Sequence, residues 1–351
     1  MLKRLGKRLL GWVWRSQQNL HSLPRADKRG ALTHVIILDG TMSSLRPGCE
    51  TNAGLTYRLL SQVGAPLSLY YEAGVQWTDW RSTLDVLMGR GINRQIRRAY
   101  GYLASRYRPG DRIILMGYSR GAFAVRSLAG VIDSVGLLRP EHATHRNVVQ
   151  AYRHYQMTAG SPTLLAFRRA HCHDDIQIEM VGVWDTVKSL GLRLPLLWRW
   201  SEAQHSFHSH ALGKSVKHGF HALALHETRD AFAPVMWDSS DDYTGVMEQV
   251  WFNGSHGDVG GQVGNFPAAR PLSNIPLVWM LERLSACEVP LPPDWQAQFS
   301  CDPDAPRMGT WRGIGKLFLI RSKRVVCADP SERLHHTVEP DAQDHPVARP
   351  A

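Results

Sequence analysis

The chain has 351 residues, 43% of them apolar and 21% charged, the balance of a globular protein able to bury a sizeable core. A formal net charge of +10 favours anionic partners, yet no zinc-finger spacing, recognition-helix pattern or aromatic-interleaved basic repeat accompanies it, so nucleic-acid binding is not expected. Five scattered cysteines without a CxxC pair argue against a disulfide framework, and no apolar run reaches transmembrane length.

Residues 1 to about 20 read as a basic amphipathic helix. Leu2, Leu5, Leu9, Trp12 and Val13 recur at helical spacing, and Lys3, Arg4, Lys7, Arg8 and Arg15 fall mostly elsewhere on the wheel. Such a helix fits either peripheral contact with an anionic membrane or packing against the rest of the protein. The apolar stretch from Leu9 to Trp14 is too short for a secretory signal and no cleavage site follows, so a cytoplasmic, reducing location is expected. The organisation expected is a basic N-terminal segment over 1–30, one α/β domain over 31–328 and a disordered tail over 329–351.

The domain opens at Thr33-His34-Val35-Ile36-Ile37-Leu38, an apolar, β-branched run that reads as a buried strand stopping at Asp39-Gly40-Thr41. Ser68 to Tyr71 reads as a second strand, and Gly91 to Tyr107 as a helix closed by Pro109-Gly110. Arg112 to Met116 reads as a third strand running into Gly117, and a helix follows with Ala122, Val125, Leu128, Ala129 and Ile132 on one face. Ile176 to Trp184 reads as a strand ending at Asp185, residues 216–226 as a helix, Glu248 to Phe252 as a last strand, and Ser273 to Ala286 as a closing helix. Strands alternating with helices predict an α/β fold with a mostly parallel sheet flanked by helices. The apolar residues between Leu190 and Trp200, followed by His205, His208 and His210, suit a cap over a pocket or a core helix with its loop.

Gly117-Tyr118-Ser119-Arg120-Gly121 sits between that third strand and its helix. This is the setting in which a sharp turn lifts a serine hydroxyl above a sheet edge, making Ser119 the candidate nucleophile; the plainer reading is a serine that caps a helix. A nucleophilic serine needs a base and an orienting carboxylate, in the chain order Ser, Asp, His. Asp185 and His256 occupy that order at two strand ends, with Asp258 as an alternative acid. The oxyanion donors expected are the amide of Arg120 and an amide of the Asp39-Gly40-Thr41 loop, from Gly40 or Thr41. The Arg120 side chain suits a phosphate or carboxylate of the substrate, or a surface ion pair. Asp39-Gly40-Thr41 also echoes an aspartyl-phosphate motif, but its nucleophilic aspartate would fall at Ile37. A metal site built from Asp39, His256 and Asp258 lacks any recognised ligand spacing, so neither metal nor cofactor is expected.

These segments together resemble the α/β-hydrolase family of type VI secretion phospholipase effectors and their relatives. The resemblance runs from Ile37-Leu38-Asp39-Gly40-Thr41 through Tyr70-Tyr71-Glu72-Ala73-Gly74, Gly117 to Phe123 and Arg126 to Gly130. It continues through Val181 to Val187 and Ala222 to Glu227 to Trp251-Phe252-Asn253-Gly254-Ser255-His256-Gly257-Asp258-Val259-Gly260-Gly261. It implies a Ser119–Asp185–His256 triad and hydrolysis of ester bonds, with a phospholipid or other lipid ester as substrate. The competing expectation is a catalytically silent protein that keeps the fold and uses its basic surface for binding.

Overall fold

Residues Thr33–Leu38 form β1, buried along its whole length. The structure is a computed structural model and describes residues 29–74, 90–157, 160–187, 211–264, 266–311 and 318–338. The amphipathic helix expected over residues 1–20, the apolar cap insertion and residues 339–351 lie outside that range.

After β1 come α1 (Asn52–Ser61), β2 (Leu67–Glu72), α2 (Arg90–Ala104), β3 (Arg112–Tyr118) and α3 (Arg120–Val135). Two further helices, α4 (His145–Gln156) and α5 (Pro162–His171), lead into β4 (Ile178–Trp184). The chain continues through β5 (Val216–Ala224), β6 (Val246–Phe252), α6 (His256–Gly260), α7 (Arg270–Ala286) and β7 (Glu332–Leu334). The seven strands make one sheet in the order β2-β1-β3-β4-β5-β6-β7. Every neighbouring pair is parallel. A parallel sheet needs cover on both faces, which is why its strands read as unbroken apolar runs. One face packs Ile36, Leu115, Val181 and Val183 against residues of α2 to α5, such as Ile96, Leu128, Val148 and Phe167. The other packs Ile37, Met116, Met180 and Trp184 against α1 and α7 through Leu59, Leu60, Trp279 and Met280.

Two sequence expectations give way here. Residues 216–226, read as a helix, are the buried strand β5 and the turn after it. Its Ala- and Leu-rich end suggests a helix locally, but β4 and β6 supply ladder partners on both sides. The sheet also does not end at β6. β7 pairs with it from inside the segment expected to be a tail, Val338 is buried there, and Trp251 Nε1–H donates to Glu332 at 2.7 Å.

β2 lies on one side of β1 and β3 on the other, so the winding direction reverses between β1 and β3. In open parallel sheets the crevice at such a switch, beyond the carboxyl ends of the strands, is where ligands are held. Leu38 is level with Gly117, and Gly117 with Val183, so the loops after β1, β3 and β4 open at one height.

Candidate active site

Ser119 is the residue between β3 and α3, and its backbone is strained, with φ 58° and ψ −121°. A side chain in that region is costly and persists only where the surroundings impose it. The flanking glycines make the turn possible. A Cβ on Gly121 would lie 2.1 Å from the carbonyl oxygen of Leu38, and one on Gly117 would lie 2.7 Å from Gly121. Ser119 makes no side-chain capping bond to its helix, so the plain reading of it as a cap does not hold.

The serine hydroxyl meets His256 instead, with Oγ 2.9 Å from Nε2. The other ring nitrogen, Nδ1, lies 2.6 Å from Asp185 Oδ2. A carboxylate can only accept, so Nδ1 carries the proton and Nε2 is left as acceptor for the serine O–H. His256 opens α6, placed there by the turn after β6. Its amide donates to Glu227 at 3.1 Å, and the Tyr118 hydroxyl donates to its carbonyl oxygen at 3.1 Å. The rings of Tyr118 and Phe232 pack on the imidazole with centroids 4.8 and 4.9 Å away.

Asp185, at the end of β4, is fully buried. Burial alone would push its carboxyl up, but the Arg324 guanidinium and the bond from His256 more than offset this and hold it well below the usual carboxylate range. Arg324 grips it with both terminal nitrogens, Nη1 to Oδ1 at 2.6 Å and Nη2 to Oδ2 at 3.0 Å, and the amide of Ala224 adds a bond to Oδ1 at 3.0 Å. The alternative acid, Asp258, is occupied elsewhere. It accepts from the amide and hydroxyl of Ser255 and from the amide of Met308, which makes it a capping residue of α6.

Gly40 lies against the serine: a Cβ there would come within 3.3 Å of Ser119 Cβ. Its amide, however, donates to its own neighbour Asp39 at 2.7 Å, which removes Gly40 from the expected oxyanion donors. The amides of Thr41 and Arg120 remain, the latter at the first turn of α3 where no helical acceptor exists. Asp39 is buried and also accepts from Thr51 and Tyr71, each at 2.7 Å. It shapes the loop, and among the described residues no His, Cys, Asp and Glu cluster could hold a metal ion. The Arg120 side chain is 8% exposed with no hydrogen-bond or ion-pair partner among the described residues, and burial lowers its pKa to about 10.

Comparison with known proteins gives this geometry a family. The model of the type VI secretion system phospholipase effector Tle1-like catalytic domain matches residues 33–283. The chain belongs to that family. An uncharacterised Saccharomyces cerevisiae protein, YEL023C, is 26% identical over 225 residues, 56% of this chain and 31% of its own length, so the chain spans about a third of that relative. Among solved structures, an uncharacterised protein from Pseudomonas aeruginosa is similar at a TM-score of 0.46 and 17% identity, over 85% of this chain and 52% of that one. A Tle1 effector bound to the VgrG spike of the type VI secretion system is similar at 0.35 and 17%, over 66% and 51%. The family assignment rests on the sequence match.

Within the Tle1-like segment lie Ser119, Asp185 and His256, together with Glu227 and its partner Arg229, which sequence reasoning does not single out. Arg229 grips Glu227 through Nε at 2.8 Å and Nη2 at 2.6 Å, and Glu227 in turn holds the His256 backbone. The Ala222 to Glu227 run is the available signal for Glu227. Arg324 lies beyond the matched segment and carries no signal of its own.

Proposed function

We propose that the chain is a serine ester hydrolase acting on lipid esters, with phospholipids as the substrate class. The observation that carries this reading is the continuous relay from Ser119 Oγ to His256 Nε2 at 2.9 Å and from His256 Nδ1 to Asp185 at 2.6 Å. His256 takes the hydroxyl proton as Ser119 Oγ attacks the ester carbonyl, and Asp185 stabilises the imidazolium that forms. The amides of Arg120 and Thr41 receive the negative oxygen of the tetrahedral intermediate. His256 then passes its proton to the departing alcohol, and water repeats the sequence on the acyl-serine to release the acid and restore Ser119.

Two features favour a phospholipid over a neutral ester. The family is that of phospholipase effectors. The residue after the nucleophile also carries a largely buried cation that no described residue pairs, the kind of group that gains most from a phosphate. The basic, amphipathic pattern of residues 1–20 suits peripheral contact with an anionic bilayer. Among the described residues no helix is long and apolar enough to cross a membrane.

Hydrolysis of phospholipid vesicles and of a short-chain chromogenic ester tests the reading. Ser119→Ala is expected to abolish both reactions while the far-UV spectrum stays that of the parent. Arg120→Gln keeps the backbone amide but removes the charge, so its loss on phospholipid should exceed its loss on the neutral ester by about tenfold or more. Equal rates in the parent and Ser119→Ala would favour a catalytically silent binding protein. Equal losses on both substrates in Arg120→Gln would remove the phosphate assignment alone.

A further inference from the structure

Arg324 is 6% exposed and commits its guanidinium to four acceptors: both oxygens of Asp185, the carbonyl of Ala224 at 2.8 Å and that of Phe232 at 2.6 Å. The Asp185 carboxylate is correspondingly full. Oδ1 accepts from Ala224 N–H and Arg324, and Oδ2 accepts from His256 Nδ1–H and Arg324. A bidentate fork fixes the plane of a carboxylate, which a single-point contact does not. Here that plane sets the direction in which the His256 ring is held, and through it the aim of Nε2 at Ser119.

The charges around His256 come as two compensated pairs. Asp185 is matched by Arg324, and Glu227, which holds the His256 backbone, is matched by Arg229. Apart from the Arg120 cation, which no described residue pairs, the other polar groups facing this region are committed elsewhere. Tyr118 bonds the His256 carbonyl, Asp258 caps α6, Asp39 is held by Thr51 and Tyr71, and His221 is bonded by Thr186 and Gln249. The imidazolium formed during the reaction therefore faces a carboxylate whose charge is already largely neutralised.

We propose that Arg324, contributed by the segment beyond the Tle1-like match, is a positioning residue of this site, holding the Asp185 carboxylate in register with His256 and compensating its charge. The proposal rests on the serine-hydrolase reading for its effect on rate, but not for its effect on the Asp185–His256 pair. Without the guanidinium the pair would carry an uncompensated negative charge and take up its proton at higher pH, the shift belonging to the pair as a unit. Loss of the fork would also let the carboxylate turn, which lowers kcat more than it raises KM, because orientation matters most in the transition state.

Two variants separate these effects. Arg324→Gln loses both charge and fork; Arg324→Lys keeps the charge and loses the fork. In pH profiles of kcat/KM the acid limb should move up by about one unit in Arg324→Gln. In Arg324→Lys it should stay within a few tenths of the parent. Both variants should lose about tenfold or more in kcat, with KM changing by less than about threefold. A merely structural arginine would lower the melting temperature of both variants and leave the acid limb in place in both; that result overturns the proposal. Should Arg324→Gln fail to fold, an Arg324→Lys variant with the parent kcat overturns it alone. If the parent neither turns over esters nor reacts with a fluorophosphonate, the hydrolase reading has failed. An NMR titration of the His256 ring in the parent and the two variants then decides the role of Arg324. An upward move in Arg324→Gln upholds it, and identical titrations in all three proteins refute it.

Discussion

His221 is fully buried beside the site, held by two neighbours of opposite kind. The amide of Thr186 donates to Nε2 at 3.1 Å, which leaves the proton on Nδ1 to meet Gln249 Oε1 at 3.3 Å. Burial, then the nearby Arg126 cation, push its pKa down to about 3. The unfolded chain carries an ordinary histidine near pH 6.5. Below that pH it binds a proton that the native imidazole refuses until about pH 3, so stability falls steadily across that window as acid is added. The full cost is on the order of 4 to 5 kcal/mol. His335, lowered to about 4 by burial and then by His336, adds to the same slope. His221→Gln should therefore flatten the dependence of denaturant midpoint on pH between 6.5 and 3 by about one proton's worth, leaving the His335 contribution. An unchanged slope would mean that His221 titrates normally in the native state.

Ser119 is legible before folding because its motif is local: five residues, a strand before and a helix after. Asp185 and His256 are legible by chain order and by their places at strand ends. The choice between Asp185 and Asp258 is not, because it depends on which carboxylate faces the ring through space. Arg324 stands 139 positions from Asp185 in the chain, so no local spacing links them. The Gly40 amide misleads because nothing local announces that its neighbour Asp39 turns back to occupy it.

At the scale of elements, the loop after β1 and the turn after β3 depend on each other. α3 starts so close to the end of β1 that any side chain at position 121 would meet the backbone of Leu38 and Asp39. Gly121→Ala is expected to cost about 1–3 kcal/mol or more, since backbone, unlike a side-chain tip, cannot swing away. Chemical denaturation checks this; a midpoint within error of the parent would show that the turn relaxes freely. β1 and β3 are readable because central parallel strands are buried on both faces and so are apolar throughout. β5 misleads, since a run ending in Ala, Leu and Ala has helical propensity, and only the ladders to β4 and β6 make it a strand. β7 escapes notice because Glu-Arg-Leu has no strand signature; it is held by β6 and by the Trp251–Glu332 bond.

For the whole molecule, the sheet order explains why residues scattered from Asp39 to Arg324 converge. The reversal between β1 and β3 opens a crevice at the carboxyl ends, and β4, β5 and β6 deliver Asp185, Glu227 and His256 to the same edge. The C-terminal segment closes the arrangement from outside the region that defines the family. A positive net charge of 10 gives the molecule an electrostatic preference for anionic surfaces, in keeping with the phospholipid substrate proposed above. Whether Ser119 is a nucleophile activated by His256 is decided most directly by covalent labelling. The protein is treated with a fluorophosphonate, digested and mapped by mass spectrometry. A single adduct on Ser119 is expected, absent in Ser119→Ala and slowed at least about a hundredfold in His256→Ala. An unmodified Ser119, or an adduct that forms equally fast without His256, would contradict it.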